Sequence, residues 1–143
     1  MSDWIEITIR LMCALFFGAI IGFERQIKNK AAGLRTHMLV SLGAATLIVI
    51  PILLTQNDYD ALSRVIQGIA TGIGFLGAGE IWRESQAVAG EKSRVHGLTS
   101  AAAIWVTAAI GVAAGCGLWQ LGLIVTLLTW FVLRLIKKFE HYL

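Results

Sequence analysis

Residues 72–83 read GIGFLGAGEIWR, and the way that string packs decides the fold. It closes an apolar segment that begins near Val65, and it holds four of the chain's fifteen glycines. In a water-exposed helix each interior glycine costs about 1 kcal/mol relative to alanine. In lipid, small residues instead let neighbouring backbones approach closely. At about 100° per residue, Gly68, Gly72 and Gly79 fall on one face. Ala70, Gly74, Gly77 and Ala78 fall roughly opposite, and Ile66, Ile69, Ile73 and Leu76 form a bulky stripe between them. A helix smooth on two sides is expected to lie between two others, so the segment reads as the central helix of a membrane bundle.

Composition supports a membrane setting. Apolar residues make up 57% of the 143 and charged residues 15%. Soluble domains run near 25% charged, so a water-soluble globule of this composition would lack a surface. Mean hydropathy is +0.73, and the apolar residues fall into blocks near the roughly 20 residues that cross a bilayer as a helix. Five spans are expected, at about 4–23, 37–54, 65–82, 98–114 and 118–136, as one transmembrane domain. The first lacks a basic leader and a cleavage site and reads as retained. Cys13 and Cys116 show no metal spacing and read as small apolar fillers.

Local signals fill in the spans. Trp4 suits an interfacial anchor. Glu6 and Arg10 are spaced to pair along a helix. Ala14, Gly18 and Gly22 repeat every four residues, as do Ala103, Thr107, Gly111 and Gly115, and each set makes a close-packing face. Thr36, Ser63 and Thr99 or Ser100 are expected as helix caps, Pro51 as a helix ender, and residues 115–117 as a tight turn. Ten of the twelve Lys and Arg fall in the 24–35 loop, the 83–96 loop and the C-terminal end, all on one side of five spans. The positive-inside rule then puts the N-terminus outside and the C-terminus in the cytoplasm. It also accounts for the net charge of +3 without nucleic acid. A repeat is visible as well. Phe16-Phe17-Gly18-Ala19 echoes Phe75-Leu76-Gly77-Ala78 at an offset of 59, and residues 33–36 echo 97–100 at an offset of 64. The first two helices would then match the next two in the same sense, about an axis along the membrane normal.

Four blocks carry a family likeness: GAIIGFERQ (18–26), AGLRTHMLVSLGAA (32–45), GIGFLGAGEIWRE (72–84) and GLTSAAAIWVTAAIG (97–111). In this order they resemble the MgtC/SapB family. The resemblance implies a bacterial cytoplasmic-membrane protein of about five spans, linked to growth under magnesium limitation. Many members carry a soluble C-terminal domain. This chain ends seven residues after Ile136 and so resembles the short, SapB-like form. Position 80 is Glu where the family block usually has an apolar residue, so the resemblance supplies no role for it.

No nucleophile–base arrangement, zinc-protease motif or P-loop is present, and no enzyme activity or cofactor is expected, magnesium apart. His37, His96 and His141 lack ligand spacing and are expected at the interface. The candidate polar site is the set Glu24, Arg25, Arg35, Thr36, Glu80, Arg83 and Thr99, with Glu84, at the cytoplasmic helix ends. Ionisable groups at membrane depth pair or mark a pathway. Glu24 and Glu80 each follow a glycine face, and two carboxylates at that level suit a hydrated magnesium ion. Alternatively, Glu24 pairs with Arg35 or Arg83 and pins the loops. The candidate helix-packing residues are Gly18, Gly22, Gly68, Gly72, Gly74, Gly77, Gly79 and Gly111. Expected partners are the lipid bilayer and a second copy or another membrane protein. Two functions stay open: a non-enzymatic regulator acting by helix packing, and a divalent-cation carrier.

Overall fold

The structure is a computed structural model that describes residues 2–55, 58–87 and 96–136, with the side chains of residues 2, 83, 84, 86, 87 and 136 excepted. Glu91, Lys92, Arg94, Lys137, Lys138 and His141 lie outside the described residues, as do the Arg83 and Glu84 side chains. Five α-helices follow in order, and no strand occurs among the described residues: α1 (Ser2–Ile27), α2 (Leu34–Thr55), α3 (Tyr59–Ala87), α4 (Leu98–Gly115) and α5 (Trp119–Phe131), the last continued by a π-helical turn over Val132–Ile136. The first four are long and apolar enough to cross a membrane, whereas the apolar stretch of the fifth, Trp119–Leu135, is shorter.

The glycines and small residues fix which helices touch. A Cβ on Gly18 would lie 2.7 Å from the His37 carbonyl, and one on Gly22 would lie 2.7 Å from Leu34 Cα. Thus α1 and α2 meet backbone to backbone, antiparallel. On α4, Gly111 faces the Ser41 carbonyl, and a Cβ on Gly115 would lie 2.7 Å from the Ala45 carbonyl. Both contacts rise together along the two chains, so α2 and α4 run parallel. Gly122 of α5 receives the ring of Phe17 from α1. Around these contacts Ala14, Phe17, Ile21, Ala45, Ala103, Ile110 and Ala114 form the buried core.

The central helix is therefore α4, which touches all four others, and not the glycine-rich α3. Among the described side chains of α3, only Gly77 and Glu80 are buried. Gly77 sits against Ala101 of α4, but a Cβ added at Gly68, Gly72, Gly74 or Gly79 would meet nothing within 4 Å among the described residues. The reason is that part of the bulky stripe turns inward: Ile69 and Ile73 are half-buried while both small-residue faces stay largely outside.

Several helix ends differ from expectation. α2 starts at Leu34, so Thr36 lies within its first turn. α3 starts at Tyr59 and is capped by Asp58, whose Oδ1 accepts from the backbone amides of Asp60 at 2.9 Å and Ala61 at 3.3 Å; this is the usual N-cap geometry, and Ser63 falls inside the helix. α4 opens at Leu98 after Gly97 (φ 91°), with no side-chain cap, which places Thr99 and Ser100 inside it. Pro51 leaves α2 running on to Thr55.

Two helices end alike. At the end of α4, Gly117 (φ 79°) donates to Ala114 O and Leu118 donates to Ala113 O. At the end of α1, Asn29 (φ 50°) donates to Gln26 O and Lys30 donates to Arg25 O. Both are Schellman motifs, which need a residue tolerant of left-handed φ at the turn.

The contacts also follow the sequence repeat. Gly18 meets His37, and the residues 59 and 64 further on, Gly77 and Ala101, meet each other. Gln26 Oε1 accepts from the Leu34 amide, and 59 residues on Ser85 ties down His96 through its amide and carbonyl.

At the end of the bundle where α1 begins, Glu6 and Arg10 pair, and Arg10 Nη1 donates to Gly115 O at 3.0 Å. Cys116 lies beside this contact in the turn after α4. Burial pushes its thiol up from the ordinary range, and the Arg10 guanidinium opposes this only in part. Less thiolate is therefore present at neutral pH. Maleimide labelling of Cys116 in detergent should show a pH midpoint above that of an unfolded control, and a midpoint below it would contradict this arrangement.

Candidate functional site

The opposite end of the bundle gathers buried polar groups from four helices. Glu24 and Arg25 close α1, where basic side chains also suit the negative end of the helix dipole. Glu24 forms an ion pair with Lys28 one turn on, and Lys28 Nζ donates to Leu133 O at 2.6 Å. Arg25 Nη2 donates to Ser100 Oγ of α4 at 2.5 Å. Glu80, from α3, accepts from the Ala32 amide at 3.4 Å. Glu24, Arg25 and Glu80 are 5%, 3% and 8% exposed, so these groups reach protein rather than water.

Glu24 thus pairs with Lys28 and not with the expected Arg35, while the other expected partner, the Arg83 side chain, lies outside the described residues. Arg35 is exposed, and with Thr36 it lines a groove of about 690 Å³ between α2 and α3. Thr99 lines a second, apolar groove of about 310 Å³ between α4 and α5. Among the described side chains the sequence-predicted set therefore splits, with Glu24, Arg25 and Glu80 in the buried cluster and Arg35, Thr36 and Thr99 outside it. The exposed Arg134 lies over the Trp130 ring at 5.0 Å.

Four participants escaped the sequence reading. Lys28 and Ser100 complete the ion pair and the hydrogen bond just described. His37 is fully buried rather than interfacial. Its Nδ1–H donates to Gly33 O at 2.9 Å, while Nε2 has no hydrogen-bond partner among the described residues. Ser41, one turn further on the same face, is also fully buried. The available signal was the four-residue step from His37 to Ser41 to Ala45, facing the steps Gly18–Gly22 and Gly111–Gly115.

Chemically this cluster fastens helices. Among the described residues no three or more His, Cys, Asp or Glu side chains come together as a metal site. A hydrated cation at Glu24 would have to displace the Lys28 ammonium, and one at Glu80 would compete with a backbone amide.

A profile of the MgtC family matches residues 11–142. The chain belongs to the MgtC family. Relatives align with 73–98% of it. Protein SrpB of Synechococcus elongatus is 45% identical over 98% of this chain and 80% of its own length. The "Putative magnesium transporter YhiD" of Escherichia coli (strain K12) is 39% identical over 93% of this chain and 61% of its own. Protein MgtC of Brucella abortus (strain 2308) is 45% identical over 73% of this chain and 40% of its own. The chain thus spans less than two thirds of the latter two relatives. No solved structure matches it. For an MgtC-family chain, the apolar outer faces and four span-length helices are those of a membrane protein.

Proposed function

We propose that this chain is a non-enzymatic bacterial inner-membrane protein, linked to magnesium homeostasis, that acts by packing its helices against a second copy or another membrane protein. It crosses the membrane five times, with the N-terminus outside and the end bearing Arg25, Lys28 and Arg35 in the cytoplasm. One observation carries the reading. The buried ionisable groups are tied to protein partners, whereas α3 turns glycines and polar side chains outward, and a Cβ on Gly68, Gly72, Gly74 or Gly79 would meet nothing within 4 Å among the described residues. Groups committed to holding helices together are unavailable to a passing ion. The magnesium link itself rests on the relatives' names.

Magnesium transport is the second reading, favoured by the printed name of the Escherichia coli relative. Purified protein in liposomes separates the two. No magnesium flux is expected, together with loss of partner co-purification on Gly72→Leu or Gly74→Leu. Flux abolished by Glu24→Gln would overturn the proposal. A reporter fused within residues 83–96 should read as cytoplasmic, and an external signal would reverse the topology.

A further inference from the structure

We infer that the outward face of α3 is a homodimer seam, in which the α3 helices of two copies run parallel about an axis along the membrane normal. This rests on the helix-packing reading above and names its surface and its occupant.

Asp60, Arg64, Gln67, Thr71, Gly74 and Ala78 are spaced alternately by four and three residues, the a/d pattern of a coiled-coil seam. At 100° per residue they lie within an arc of about 80°. All six are exposed, and the arc points away from Gly77 and Glu80, through which α3 meets the rest of the bundle. The seam is not apolar. Gln67 and Thr71 sit mid-helix in a segment that reads as a span, and the Gln67 amide has only a 3.4 Å contact to Ser63 Oγ. A primary amide facing hydrocarbon lacks the partners that water would supply. Such side chains in spans are turned toward other helices, where they act as interhelical hydrogen-bonding groups.

The charges select a second copy. Asp60 and Arg64 are four apart on this face, yet they form no ion pair with each other or with any described residue. In a parallel pair of helices, a d-position side chain packs beside the next a position of its partner. Asp60 of each copy then meets Arg64 of the other, twice by symmetry, as an isologous two-fold contact requires. The same alignment sets the two Gln67 amides and the two Thr71 hydroxyls at one level. Below them Gly74 and Ala78 let the backbones close.

Cysteine cross-linking in native membranes tests this, using the full chain with Cys13→Ser and Cys116→Ser. Thr71→Cys and Gly74→Cys should each give an oxidative product of twice the chain mass. Trp105→Cys and Leu128→Cys, on exposed faces of α4 and α5, serve as controls and should not. Gln67→Leu should lower the product at position 74 about fivefold, the effect of losing one interhelical hydrogen-bonded pair. Asp60→Arg or Arg64→Asp alone should lower it, and the two together should restore it. These side chains are exposed and support little within the chain, so unchanged helix content by circular dichroism should accompany each loss. Cross-linking at 71 and 74 no greater than at 105 and 128, a product of any other mass, or failure of the double exchange to restore would overturn the seam. The readout involves no magnesium. Its failure would leave the regulator reading to another partner, while magnesium flux through a cross-linked dimer would refute that reading and keep the seam.

Discussion

Gly111→Ala is expected to cost about 3 kcal/mol, at the upper end for overpacking a filled interior. A methyl there would overlap the Ser41 carbonyl, with the rest of the Ser41 backbone directly behind it. Backbone cannot rotate aside as a flexible side chain can, so α2 and α4 would have to separate. Because α4 is the central helix, the loss would spread to its contacts with α1, α3 and α5. Gly72→Ala is the matched control. Nothing lies within 4 Å of its added methyl, so it should change stability by no more than the helix-propensity difference of about 1 kcal/mol. SDS-driven unfolding in mixed micelles compares the two. Equal effects, or a larger effect at Gly72, would return α3 to the centre of the bundle.

Lys28→Ala should be comparably damaging. It leaves the Glu24 carboxylate, 5% exposed, without its ion-pair partner, and strips the Leu133 carbonyl of a donor. Breaking a buried pair by removing one member costs about 3–5 kcal/mol, because the surviving charge stays desolvated. The Lys28 side chain keeps 23% of its surface in contact with the outside, which places the expected loss near the lower figure, about 3 kcal/mol. Glu24→Gln in the Lys28→Ala background should recover much of that loss, since no buried charge remains. A double-mutant cycle in the same unfolding assay measures this. Strict additivity would show that the carboxylate draws its support from elsewhere.

The fold was largely legible because the spans are long, apolar and separated by charged loops. The four-residue steps of small residues on α1 and α4 correctly marked backbone contacts. The same signal misled on α3, since a glycine face leaves room for a close approach without recording what approaches. Among the described residues nothing takes up that space at Gly68, Gly72, Gly74 and Gly79. From the bulky stripe between the two small-residue faces, Ile69 and Ile73 turn inward, while Ile66 and Leu76 stay exposed. The polar cluster was half legible. Glu24, Arg25 and Glu80 stood out as charges at helix ends, but their partners depend on tertiary approach. Ser100 and the Leu133 carbonyl lie 75 and 105 residues from Arg25 and Lys28, the side chains they bind. His37 looked interfacial because it opens an apolar run. Its burial follows from α1 and α2 touching at Gly18 and Gly22, which periodicity shows but register does not.

Those sequence separations set an order of events during synthesis. Arg10 and Arg25 leave the ribosome on the first helix and Lys28 directly after it, but their tertiary acceptors emerge 105, 75 and 105 residues later. Until then α1 resides in the membrane packed on α2 but with these polar contacts unmade. Glu6 and Glu24, each one turn from a waiting cation, can hold Arg10 and Lys28 through that interval as interim counter-ions. Contacts so distant in sequence form last and slowest. The nascent chain can therefore close its α1–α2 hairpin first, through Gly18 and Gly22, while the polar ties that fasten α1 to the rest of the bundle wait for α4 and the end of α5.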